Sequence, residues 1–350
     1  MPARDVRGLQ PRAMQPIFAV TVPFFALVLL GYLAAERDVL PESAIPGLNA
    51  YVLFFALPCM LFRFGASQPF ARLIDAALIG LYLVCALLMV GATVALTWRR
   101  GPHANGVGLK DAAFGALVAA FPNAGFMGVP LIVRLLGDAA AGPVIGAILV
   151  DLIVTSTLCL ALAQAGEHRR SDGGDERRSA LHAAALALRG AAMNPLPWAI
   201  VIGALFSALD RALPGPVAQI VQMLGDSATP VALFTIGTVL SRAGRHAHQR
   251  TPPARYLPVA LLKLFLHPAL VYGLGLAAIA LGVPMPRFGL LVLTLTAALP
   301  SASNVSALAE IYGADNGRVT RIIMASTVLA FATFSALAWA FGVGSTAPAR

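Results

Sequence analysis

Charge is the scarcest property of this chain: Asp, Glu, Lys and Arg make up only 12% of its 350 residues, about half the share usual in a soluble domain. A surface built from so few charges does not suit water. Cysteine is scarcer still. The three, Cys59, Cys85 and Cys159, fall in different apolar runs, so their spacing gives neither a metal pair nor a disulfide framework and they read as free, buried thiols. The signatures of enzymes are missing as well: there is no GxSxG, HExxH, P-loop, CxxC or paired aspartate-rich metal motif. The nearest acidic cluster, DGGDE at 172–176, sits in a charged connection and reads as solvated. An enzyme is therefore not expected. A sensor would normally carry a soluble output domain, and no such stretch stands out. No cleaved leader is expected either, because the first apolar run is too long and no A-x-A site follows it.

What the chain has in abundance is apolar length. Hydrophobic residues make up 58% and the mean hydropathy is +0.79. Ten runs are long enough for a bilayer: roughly 16–35, 43–64, 73–98, 111–136, 141–164, 195–213, 217–240, 256–282, 288–312 and 318–342. They do not alternate polar with apolar as the strands of an outer-membrane barrel do. The expected fold is an all-α polytopic membrane protein.

The net charge of +9 would suit a nucleic-acid binder, so its placement decides. With ten spans and an outer N-terminus, fifteen of the 25 Lys and Arg fall in inner connections, among them Arg99, Arg100, Arg169, Arg170, Arg242 and Arg318. Nine fall outside, three of those in the N-terminal tail, and Lys263 lies within a span. That asymmetry is the positive-inside pattern, so the basic excess reports topology rather than nucleic acid. The expectation is a multi-pass protein of the inner (cell) membrane with both termini outside.

A charged, then alanine-rich connection at 165–194 divides the chain into two sets of five spans, 16–164 and 195–342, with short tails at 1–15 and 343–350. The two sets show a weak internal repeat. ALPCMLFRFG (56–65) aligns with ATPVALFTIG (228–237) at an offset of 172, and the LP at 40–41 has a counterpart at 213–214. AAFPNAGFMGVPLIVRLLGD (119–138) matches AALPSASNVSALAEIYGAD (297–315), with Pro122 against Pro300. An odd number of spans per copy forces the second to enter from the opposite side. Inverted copies with corresponding broken helices mark secondary transporters, and the breaks mark the site.

The breaks follow from local chemistry. Pro122 removes a donor and pushes the residue before it out of helical geometry. Gly125 and Gly128 ease irregular backbone, and Pro130 suits the first turn of a new helix. Residues 122–129 are thus expected to be unwound at mid-membrane depth. In the second copy Ser301, Ser303 and Asn304 follow Pro300, placing polar groups where only a cavity or protein tolerates them. Half-helix N-termini converging there would favour a small anion, most simply a carboxylate.

At these residues the chain resembles the auxin efflux carrier family, which includes plant PIN-type carriers and bacterial malonate and malate carriers. The likeness rests on LGYLAAERDVLP, LNAYVLFFALPCMLF, PN followed by GVPL at 122–132, TPVALFTIG, KLFLHP and ALPSASNVSALAEIYG, and covers 16–342. It implies two inverted five-helix repeats with the fourth and ninth helices crossing, and an elevator-like motion of helices 3–5 and 8–10 against 1, 2, 6 and 7. It also places Asn123 on the family's substrate-contacting asparagine and allows a homodimer through the scaffold. Plant members carry an amide where this chain has Ser301. The sodium–bile acid symporters share the plan but place a glutamate near the ninth-helix break, where this chain reads PSASN. No cofactor is expected; coupling to protons or sodium stays open.

Three ionisable residues inside the spans complete the candidate list. Asp151, midway along span five, is a costly residue in a bilayer and functional by default. Lys263 lies ~12 Å into span eight by helical rise and either snorkels to the interface or meets Asp151, ~6 Å away in depth. His267, one turn on, is a bonded core residue or a proton carrier. Unpaired, Asp151 would be a proton site; paired with Lys263, a structural tie or counter-ion.

Overall fold

The computed structural model describes residues 15–67, 75–98, 107–168, 195–245 and 251–343. Most of the 165–194 connection and both tails lie outside the described residues. The described chain is helical, with no strand among these residues; two isolated bridges are the nearest thing to one. In chain order the helices are α1 (Gln15–Glu36), α2 (Glu42–Ser67), α3 (Ala76–Thr97), α4 (Leu109–Ala120), α5 (Ala124–Leu136), α6 (Asp138–Ala165), α7 (Pro195–Ala208), α8 (Gly215–Arg245), α9 (Pro253–Ala280), α10 (Arg287–Ala297), α11 (Asn304–Ile311) and α12 (Asn316–Ala340).

Seven of these, α1, α2, α3, α6, α8, α9 and α12, are long and apolar enough to cross a membrane. Expected spans four, six and nine correspond to shorter helices. For spans four and nine the reason is the breaks: α4 has twelve residues and α10 eleven, at most about 18 Å at 1.5 Å per residue, well short of a ~30 Å hydrocarbon core; the described part of span six, α7, has fourteen residues. Membrane embedding shows in which side chains stay outside. On α1 the buried positions Ile17, Thr21, Val28, Gly31 and Ala35 recur at helical spacing, while Val22, Leu29 and Leu30 point outward. Such outward leucines and valines suit lipid rather than water.

Two close helix pairs organise the outer part. A Cβ on Gly31 of α1 would run into the carbonyl oxygen of Phe234 on α8, and one on Gly237 would meet the carbonyl of Val28. Likewise Gly203 of α7 faces the carbonyl of Phe62 on α2, and Gly65 that of Ile200. Small residues let backbones approach where no hydrophobic drive pulls helices together in lipid. The two contacts carry the sequence offset: 203 minus 31 and 237 minus 65 are both 172. Gly237→Val is expected to cost at the upper end of the ~1–3 kcal/mol typical of overpacking, since the obstacle is backbone. Gly91→Val, where a Cβ meets nothing within 4 Å, serves as the control. A thermal-unfolding comparison of the two purified variants checks this.

By contrast, α4 and α10 are enclosed almost all round. Every residue from Ala112 to Ala120 is buried, as is most of Gly289–Ala297. Arg318, only 2% exposed, knots the start of this inner body. Its Nε donates to the Arg255 carbonyl at 2.9 Å and its Nη1 to that of Asp111 at 2.8 Å, so the first turns of α4, α9 and α12 are held by one guanidinium. The notch it needs is Gly115, where a Cβ would lie against Nη1.

Candidate functional site

The two breaks face each other. Residues 121–123 and 298–303 leave helical geometry and pair as a short antiparallel bridge. The Asn123 amide donates to the Pro300 carbonyl at 2.8 Å, and the Ala302 amide to the Phe121 carbonyl at 3.0 Å. Each proline-made gap therefore satisfies the other's backbone, and no water or lipid is needed for these groups. Behind the bridge, Ser326 of α12 accepts from the Ser301 amide and donates to the Ile323 carbonyl.

The unwound stretch expected at 122–129 is shorter than that. From Ala124 the chain resumes as a wide π turn, Ala124–Gly128, with the Asn123 carbonyl accepting from both Met127 and Gly128 amides. The glycines explain why this is tolerated. A Cβ on Gly128 would strike Leu299 of the second break, so glycine there permits the close approach; at Gly125 a Cβ would meet nothing within 4 Å, so its absence leaves open space.

That space is a small, partly open cavity, and Pro122, Asn123, Gly125 and Asn304 are on its wall. Ser303 lies just beyond, in an adjoining cleft of about 920 Å³ that also holds Arg242 and Glu310 and shares Leu53, Phe126 and Asn304 with the cavity. A second cleft, about 1330 Å³, opens at the other ends of α2 and α8 around Arg63, Arg134 and Asp226. Pro300 and Ser301 are not on the cavity wall; their backbone builds the bridge. Several polar groups here lack partners. The Ser301 hydroxyl and Asn304 Oδ1 are buried without one among the described residues. The Asn123 side chain, 3% exposed, makes no hydrogen bond among the described residues. Nor do the amides of Gly125, Phe126, Ser303 and Asn304, the first donors of α5 and α11, which no side chain caps. A native protein leaves so many polar groups open in one place only where something else is meant to meet them.

The ionisable residues form a second cluster beside the break. Asp151 is fully buried: Tyr82 donates to its Oδ2 at 2.9 Å and Thr155 to its Oδ1 at 3.0 Å. Lys263 is also fully buried, so it does not snorkel. Its Nζ donates to the Ala297 carbonyl at 2.7 Å, an open carbonyl at the end of α10, and lies 3.0 Å from His267 Nδ1. The other ring nitrogen of His267, Nε2, is buried and unpartnered among the described residues. No direct ion pair joins Asp151 to Lys263 among the described residues. Tyr82, which bonds Asp151, has its ring centroid 5.7 Å from that of His267. Tyr82 and Thr155 are absent from the sequence-derived candidates, though a tyrosine hydroxyl inside an apolar run is itself a signal of a buried partner. The three cysteines are free.

This arrangement can be compared with known proteins. The family model described as a membrane transport protein matches residues 16–339. The chain belongs to this family, the auxin efflux carriers. It is a membrane transporter, and the family is not one of enzymes. A protein of Rhizobium meliloti (strain 1021) named "Putative malonate transporter" is 28% identical over 335 residues, covering 95% of this chain and 98% of that protein. "Uncharacterized transporter YfdV" of Escherichia coli (strain K12) is 26% identical over 262 residues, 73% of this chain and 77% of its own. "Auxin efflux carrier component 8" of Arabidopsis thaliana is 23% identical over 298 residues, 73% of this chain and 79% of its own.

Proposed function

We propose that this transporter is a secondary carrier of a small organic anion, a carboxylate, bound where the two breaks meet. The observation that carries the reading is the concentration of unpartnered donors at one cavity: the Asn123 side-chain amide and the first backbone amides of α5 and α11. Two helix N-termini add their positive dipole ends to the same point. The names of the relatives, malonate for one and auxin for another, agree with a carboxylate.

The carrier has ten spans arranged as two inverted repeats, 16–164 and 195–342, and works by an elevator-like motion of spans 3–5 and 8–10 against spans 1, 2, 6 and 7. The glycine contacts that repeat at an offset of 172 support the repeat, and the clefts at both ends of α2 and α8 support access from both sides. In this conformation the cavity adjoins the cleft at the Arg242 end, the inner side by the charge rule. A homodimer through the scaffold helices, an inner-membrane location and outer termini belong to the same proposal. Proton coupling through Asp151, Lys263 and His267 is favoured over sodium by the buried cluster, which joins the break through Ala297.

Counterflow in proteoliposomes tests the reading. Vesicles preloaded with unlabelled organic acid should accelerate saturable uptake of the labelled acid; a flux that neither saturates nor responds to preloading, for every acid tried, rejects a carrier. For orientation, a cysteine placed within 165–190 should resist impermeant maleimide in intact cells and react after permeabilisation, whereas rapid labelling of intact cells would invert the topology.

A further inference from the structure

The chemistry of the cavity wall sets how many charges the substrate can carry. Each helix N-terminus is equivalent to about half a positive charge. Two of them, α5 and α11, start at the cavity, so together they balance about one negative charge. Among the described residues, no lysine, arginine or histidine is on the wall. The rest of it is apolar: Leu53, Leu57, Phe126, Ile148, Leu152 and Leu196. Arg242 is in the adjoining cleft rather than the cavity, and it already has Glu310 at 4.0 Å. Lys263 is turned away, bonded to Ala297 and His267.

We infer that the site selects a monoanion, a single carboxylate on an apolar body, and discriminates against dicarboxylates. This rests on the carrier reading above and sharpens it. The carboxylate sits against the Asn123 side-chain amide and the open backbone amides of Gly125 and Phe126 on one side and of Asn304 on the other, with the Ser303 amide at the edge of the adjoining cleft. Its body lies among the leucines, Ile148 and Phe126, where apolar contact is favourable. A second carboxylate would occupy that apolar half without a cation or a full set of donors, and a buried charge without a partner is strongly disfavoured. The name of the Rhizobium meliloti relative points to a dianion, so the inference separates this chain from that protein.

Calorimetric titration of the purified protein at neutral pH decides, with phenylacetate, its neutral analogue phenylacetamide, and malonate as probes. Phenylacetate should bind at least tenfold more tightly than malonate and phenylacetamide. Asn123→Ala, which removes the side-chain donor, and, independently, Gly125→Val, whose side chain would fill the open space beside it, should each weaken phenylacetate at least tenfold, with gel-filtration profiles unchanged. Malonate binding as tightly as phenylacetate or more so, with the same sensitivity to the two variants, overturns the monoanion inference and leaves the carboxylate site standing. Binding of neither acid, or binding indifferent to both variants, removes the anion site itself.

Discussion

Asn123→Ala is expected to abolish most transport while leaving the protein folded. A hydrogen bond to a charged group is worth ~1.5–3 kcal/mol, which corresponds to about ten- to 150-fold in affinity. The unusual part is the small effect on folding. Removing a buried polar side chain normally strands its partner, but the Asn123 side chain makes no hydrogen bond among the described residues. Its structural duties are carried by its backbone: the amide bonds Pro300, and the carbonyl takes the Met127 and Gly128 amides. Alanine keeps all of these. Ser326→Ala makes the contrast, since it leaves the Ser301 amide without its acceptor and should lower the thermal midpoint. The measurement is binding and counterflow at matched expression, beside a melting curve. An Asn123→Ala protein that transports at the wild-type rate has no substrate contact at that position.

How far the sequence reveals this site depends on which physical effect sets each part. The apolar runs are governed by the bilayer, and their ends agree closely with the helices: 16–35 with Gln15–Glu36, 318–342 with Asn316–Ala340. The breaks were legible because proline acts locally and visibly. Their detail was not. Whether a chain after Pro122 stays extended or re-enters a helix depends on what its carbonyls find, and that is a tertiary fact. The same holds for the other wide turns: Val52–Ala56 borders the cavity, Asp151–Thr155 carries the buried carboxylate and Leu262–Leu266 carries Lys263. A π turn has no composition of its own, though such turns gather at functional sites. Counting helical rises brought Asp151 and Lys263 to similar depth but could not show what lies between them. That needed the positions of Tyr82 on α3 and His267 on α9.

Asp151→Asn is expected to flatten the pH dependence of transport with little change in substrate affinity. Both carboxylate oxygens accept hydroxyl protons, from Tyr82 and from Thr155. Protonation turns one of those oxygens into a donor, so the bond it accepts from Tyr82 or Thr155 weakens and the new O–H needs an acceptor of its own. Uptake of a proton is thereby tied to a rearrangement between α6 and α3. The Tyr82 ring packs against that of His267, and His267 lies beside Lys263, which holds the last carbonyl of α10 just before Pro300. Asparagine keeps the size of the side chain but offers one acceptor instead of two, fixing the cluster in a state that no longer changes with pH. Its structural cost should stay within the ~1–3 kcal/mol of one unsatisfied buried group. Lys263→Met is the harsher change, because it strips the Ala297 carbonyl and His267 of their partner, and it should reduce folded yield. The readout is the initial counterflow rate of wild type and Asp151→Asn across about pH 5 to 8, with binding titrated in parallel. An unchanged pH profile in the variant would make Asp151 a tie between α6 and α3 and place the coupling elsewhere. A parallel loss of binding would place it in the substrate site instead.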